Sequence, residues 1–157
     1  MLKILTGIVL ITVTLGIVGC SGANDGIKAT WITPQITDTT VSIPLNDVED
    51  FKMTHFQVSA IAGNIAFTAY EFEDNIYVRA NVCSPCGSVG FSLSGDILVC
   101  DTCATTFDAR TGEGISGGCV GYPKKSVPYD VIDGDIMMAI NDLETANLET
   151  RFPNLPS

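Results

Sequence analysis

Two pairs of cysteines hold the chemistry of this chain. Cys83 and Cys86 are separated by two residues, as are Cys100 and Cys103, within VCSPCGSVGFSLSGDILVCDTC. A two-residue gap lets both thiolates of a pair turn to one side of a tight loop, so that each pair supplies half of a tetrahedral cage. Gly87, directly after Cys86, offers the positive φ and close backbone approach that such a knuckle needs. The intervening SVGFSLSGDILV reads as a hairpin that returns the chain to the first pair. Four thiolates at this spacing select a soft metal, either zinc or the iron of an iron–sulfur centre. Cys119, in Gly117-Gly118-Cys119, is left over. It can be an additional ligand, a redox thiol, or a small buried residue beside a glycine turn.

Other chemistries narrow quickly. His55 is the single histidine, so a two-His, two-Cys metal site cannot be built from this chain alone, and a histidine-dependent hydrolase would have to use it. A lone histidine opening a strand reads as packing or surface rather than as a ligand. The carboxylates Asp47, Glu49 and Asp50, and Asp142, Glu144 and Glu149, read as solvated faces, and there is neither a phosphate loop nor a dinucleotide fingerprint. A disulfide framework is weakened by the odd number of cysteines after Cys20 and by their pairing at equal gaps. Three classes of function stay open. The first is an electron-transfer or metal-handling protein, the second a binding module with structural zinc, and the third a thiol–disulfide protein whose pairs oxidise reversibly.

The elements that must place these cysteines begin with a leader. Lys3 precedes an apolar run over residues 4–18, too short for a comfortable membrane span and suited to a secretory signal. The run ends in Ile17-Val18-Gly19-Cys20, which resembles a bacterial lipobox. The expectation is a lipoprotein signal peptide over residues 1–19 and a lipid on Cys20. That places the protein at the cell membrane, lipid-anchored, facing the extracytoplasmic or periplasmic side; an uncleaved anchor helix would tether it equally. The whole chain carries a formal charge of −10, and Lys3 alone of its eight basic residues lies before Cys20. Such acidity argues against nucleic acid and suits a basic protein partner or the attraction of cations.

Residues 20–40 are small, polar and Thr-rich, and read as a flexible tether. From Val41 the chain turns to short β-rich runs: VSIPL, HFQVSA, IAFTAY, IYVRA, SVGFSL and DILVC. Gly63-Asn64, Glu73-Asp74-Asn75 and Ser94-Gly95 supply turn chemistry between them. Asp133-Gly134, between YDVI and DIMMAI, is the strongest hairpin signal. DLETANLET alone looks helical. The expected fold class is all-β, with one metal-binding domain over residues 41–142, a possible short C-terminal helix and a tail over residues 143–157.

Two resemblances meet at the cysteines. CDTCATTFDARTGE resembles the second half of a Rieske cluster signature, with Cys103 where that family places histidine, and YPKKSVPYDVIDGDIMMAI is similar to the closing strands of Rieske domains. The first half departs, with Cys86 and a different spacing in CSPC. The closer similarity is to the FtrD-like membrane iron–sulfur proteins, which are associated with ferrous-iron transport systems. Their pattern is matched by Cys83 to Gly87, Gly90-Phe91, Gly95-Asp96 through Cys103, Phe107, and Gly117 to Cys119. VSIPLNDVEDFKMTHFQV resembles that family's opening strand, so the similarity runs from Val41 to Ile140. After Cys119 this chain has Val120-Gly121-Tyr122-Pro123 where the family often continues Asn-Pro. The resemblance implies a Rieske-like β domain with an iron–sulfur cluster on Cys83, Cys86, Cys100 and Cys103, [2Fe–2S] ahead of zinc. It further implies electron transfer linked to iron uptake rather than catalysis, with an iron permease or an oxidase as partner. In such a centre backbone N–H groups around Gly87 and Ala104 would bond the sulfurs and tune the potential.

Overall fold

The computed structural model of the protein describes residues 26–60 and 63–154. In chain order its elements open with β1 (Ile27–Lys28), β2 (Thr30–Trp31), β3 (Gln35–Ile36), β4 (Thr40–Pro44), helix α1 (Leu45–Phe51), β5 (Met53–Ala60), β6 (Gly63–Phe72) and β7 (Asn75–Ala80). They close with β8 (Phe91–Ser94), β9 (Ile97–Cys100), β10 (Thr106–Asp108), β11 (Gly114–Ser116), β12 (Asp130–Ile132), β13 (Asp135–Ala139) and helix α2 (Ile140–Arg151). The protein is mostly β, as the run of short strand signals implies.

Three sheets form, in the strand orders β1-β8-β9-β10-β11, β12-β13-β4-β3 and β2-β5-β6-β7. The third lies in the middle of the packing. Residues 65–70 of β6 are buried without interruption, because a strand covered on both faces has no solvent side to alternate with. Phe56, Val58, Phe67 and Ala69 face one core, shared with Val41, Ile43, Ile136 and Met138 from the β12-β13-β4-β3 sheet. Met53 and Tyr70 face the other, shared with Phe91, Leu98, Phe107, Cys83, Cys100 and Cys119. Each large apolar side chain so buried contributes about 1.5–3 kcal/mol. The cysteines are thus part of the second core.

The turns follow local chemistry. Asp133 and Gly134 both take positive φ, 52° and 88°, as the two central residues of a hairpin matched to strand twist must. β8 and β9 pair antiparallel, with Phe91 opposite Cys100, so the hairpin expected between the cysteine pairs is present.

Three expectations need correction. The tether was expected to reach residue 40, but β1, β2 and β3 lie within it. β1 pairs with β8, β2 runs parallel to β5, and β3 pairs with β4. A polar, Thr-rich segment gains its order here from sheet edges that offer unpaired backbone groups. The helix expected at DLETANLET is present, but it packs on the domain rather than belonging to a tail over 143–157. α2 continues to Arg151 and buries Leu143, Ala146 and Thr150, three and four residues apart and therefore on one face. Third, Leu45–Phe51 is a helix, although its acidic residues read only as a solvated cluster. It spans two turns and buries Val48 alone, too little for an apolar period to show. Cys20 and residues 1–19 lie outside the described residues. Among the described residues, no helix is long and apolar enough to cross a membrane.

Candidate metal centre

The two knuckles are built alike. In the first, Gly87 N–H donates to Cys83 O at 2.8 Å and Gly87 takes φ 72°; in the second, Ala104 N–H donates to Cys100 O at 2.9 Å and Ala104 takes φ 54°. Glycine occupies this left-handed position without cost, whereas alanine carries about 1 kcal/mol of strain. Cross-links hold the knuckles side by side. Asp101 N–H donates to Gly90 O at 2.9 Å, and Asn81 Nδ2 donates to Val89 O at 2.7 Å. From β1, Lys28 Nζ reaches Asp101 Oδ1 at 2.9 Å and Ser92 Oγ at 2.7 Å.

The sulfurs of Cys83, Cys86, Cys100 and Cys103 all lie within 4.8 Å of one another. Cys83 pairs across the gap with Cys103, and Cys86 with Cys100, each at 3.8 Å between Sγ atoms. Every one of the four cysteines expected as ligands is therefore in one cluster. Cys119 is buried beside it, its Sγ 3.7 Å from that of Cys103. Cys83 and Cys100 are buried, while Cys86 and Cys103 are half-buried, so the cage opens to solvent on one side. All five thiols are free. The donor set is all sulfur, which fits zinc, a single iron or an iron–sulfur cluster and fits poorly any oxygen-seeking ion.

Local electrostatics differ across the cage. Burial pushes the thiols of Cys83 and Cys100 up. The Thr105 hydroxyl and then its N–H hold Cys103 down to about 6. The N–H groups of Gly87 and Ala104 themselves close the turns onto carbonyls. In metal-free protein the alkylation rate of Cys103 should rise through about pH 6 and level off, ahead of Cys83 and Cys100. Thr105→Val should move that midpoint upward by about one to two pH units, the worth of a hydrogen bond to a charged group. An unmoved midpoint, read by peptide mapping after timed alkylation, would leave Thr105 without this role.

Two further side chains at the site, Lys124 and Arg79, carry no signal of their own in the sequence. Lys124 is 2% exposed and donates from Nζ to Val82 O, next to Cys83, at 2.7 Å. Arg79 is 3% exposed and spans from β7 to the segment between β10 and Lys124. Thr105 had one available signal, a hydroxyl two residues past the second pair. His55 behaves as packing: it is buried edge-on to Trp31, and burial holds its pKa down to about 4.

Comparisons with known proteins agree with this arrangement. The structure of the ferredoxin of carbazole 1,9a-dioxygenase from Nocardioides aromaticivorans IC177 superposes with a TM-score of 0.50 at 21% identity, covering 69% of this chain and 98% of that one. Weaker likenesses are the complex of reduced oxygenase and oxidized ferredoxin in carbazole 1,9a-dioxygenase (TM-score 0.45, 22% identity, 55% of this chain and 80% of that one) and the Sphingomonas yanoikuyae B1 ferredoxin (0.42, 24%, 47% and 74%). The first of these carries the fold: the protein has the Rieske-type ferredoxin architecture that its sequence resembles. No curated protein sequence matches the chain. The family described as "Membrane iron-sulfur containing protein FtrD-like" matches residues 48–149, from within α1 through most of α2 and across all four clustered cysteines. With its cysteine knuckles inside that span, the chain belongs to the FtrD-like family of membrane iron–sulfur proteins.

Proposed function

We propose that this protein is an extracytoplasmic, lipid-anchored electron carrier, with a [2Fe–2S] cluster on Cys83, Cys86, Cys100 and Cys103, that serves iron transport. The observation that carries the proposal is the convergence of four sulfurs on two matched knuckles, in a chain of an iron–sulfur family. When bound, such a cluster supplies a one-electron couple. The chain's own residues hold it, bury it on the Cys83 and Cys100 side, and leave Cys86 and Cys103 near solvent as the edge for exchange with a partner. The acidic surface favours a basic partner, such as an iron permease or an oxidase, through steering that weakens with salt. Cys119 is the reserve thiol, next to Cys103 and outside the four.

A second reading rests on spacing. The Sγ separations of 3.8 Å in Cys83–Cys103 and Cys86–Cys100, with all four sulfurs within 4.8 Å of one another, are near the edge of a tetrahedron around one ion, ~3.8 Å for a metal–sulfur bond of ~2.3 Å. Two bridged irons set the sulfurs of different irons further apart. This spacing favours a single iron or a structural zinc.

Metal and acid-labile sulfide analysis of the protein purified without oxygen, with a visible spectrum, decides between them. Two irons and two sulfides per chain, with bands that dithionite bleaches, are the expected result. Iron without sulfide would keep an electron carrier but replace the cluster by one ion. Zinc alone, inert to dithionite, would overturn electron transfer. The mass of the membrane-extracted protein tests the anchor: its N-terminus should be Cys20 bearing lipid, and an unmodified start at Met1 would reject it.

A further inference from the structure

Lys124 is a buried cation with no acid beside it. Its Nζ lies 4.4 Å from the Phe107 ring centroid and 5.3 Å from that of Phe91. The two rings pack edge-on in the apolar core that contains Cys83, Cys100 and Cys119. Its backbone is tied on both sides, N–H to Gly112 O at 2.8 Å and carbonyl to Arg79 Nη1 at 2.9 Å. Among the described residues, the ion pairs are made by Lys28, Lys52 and Arg110 instead. One carbonyl, that of Val82, is the single hydrogen-bond acceptor of this ammonium. Burying a charge with so little compensation costs several kcal/mol, and the aromatic faces return only part of it.

The compensation present is the cage. Nζ sits on the carbonyl of Val82, the residue before Cys83, and against the rings of Phe91 and Phe107, which share one buried core with Cys83, Cys100 and Cys119. Four thiolates around a metal leave excess negative charge, which grows by one on reduction. A fixed cation in a low-dielectric core interacts more strongly with the more negative state.

We propose that Lys124 is the built-in counter-charge of the four-cysteine centre, acting through Cys83 and Cys100 to strengthen metal binding and to favour the reduced state. The redox half rests on the electron-carrier reading above; the binding half does not.

Two neutral variants of the full chain test it. Lys124→Met fills the slot between the rings without charge, and Lys124→Gln also retains a donor for Val82 O. In iron-loaded protein both should disfavour the reduced state by about tenfold, ~59 mV for a one-electron couple. The shift should persist at high salt, because a buried pair is little screened. A parallel Co(II) titration of metal-free protein, followed by thiolate-to-cobalt absorption, should show about tenfold weaker binding in both variants. A wild-type potential in Lys124→Gln would assign the effect to the hydrogen bond and overturn the counter-charge. Unchanged Co(II) affinity in both variants would overturn it as well. Weaker Co(II) binding in a protein that takes up only redox-inert zinc would sustain the counter-charge and reject the electron carrier.

Discussion

Cys100→Ser should abolish the visible absorption of the iron-loaded protein and leave iron and sulfide unbound. Cys100 ends β9, is buried, and lies 3.8 Å from Cys86 through sulfur. A serine hydroxyl there is a hard donor that stays protonated at neutral pH, on a shorter bond that does not reach the same point. Soft metals therefore lose a quarter of their cage. The substitution also leaves a hydroxyl in an apolar core, at about 1–3 kcal/mol, so far-UV circular dichroism must accompany the spectrum. Cys119→Ser supplies the contrast. Its sulfur lies 3.7 Å from that of Cys103, and the variant keeps its colour if Cys119 stands outside the ligand set. A coloured, iron-loaded Cys100→Ser protein would remove Cys100 from the site.

Arg79→Met has the largest expected effect on stability, a loss of about 3–5 kcal/mol in urea unfolding of the metal-free protein. Arg79 Nε donates to Tyr70 OH at 2.9 Å, Nη1 to Thr111 O at 3.1 Å and to Lys124 O at 2.9 Å, and Nη2 to Arg110 O. Removal of one side chain strands several buried acceptors together. The segment it ties down has no slack: a Cβ on Gly112 would lie 2.2 Å from Lys124 O. Since that strap fixes Lys124, the variant should also share part of the weakened Co(II) binding of Lys124→Met. A loss below about 1 kcal/mol would mean that the freed carbonyls find water and that the strap is dispensable.

The cysteine cluster was legible in the sequence because its information is local. A two-residue gap between cysteines, a glycine after the first pair and a hairpin between the pairs are properties of a short stretch, and the structure joins all four sulfurs. The Asp133-Gly134 turn was legible for the same reason. Elements whose order comes from elsewhere were not. β1, β2 and β3 are two residues each and exist only where another strand edge receives them. α1 is too short to display a period, and α2 extends past the expected domain end because β7 and β13 give Leu143 and Ala146 a surface to cover.

The sequence by itself determined the chemistry on offer: four thiols in two matched knuckles, a β domain to carry them, and an acidic chain overall. Tertiary structure alone decided which charges enter the core. Nothing in YPKKSVPYD separates Lys124 from Lys125, yet Lys124 is buried against Phe91 and Phe107 while Lys125 is not. Burial is set by what folds over a residue from distant parts of the chain. Here that is β7 with Arg79 on one side and the β8–β10 sheet on the other. The cysteines name the metal's class from their spacing; the charge beside them is fixed only when those sheets close.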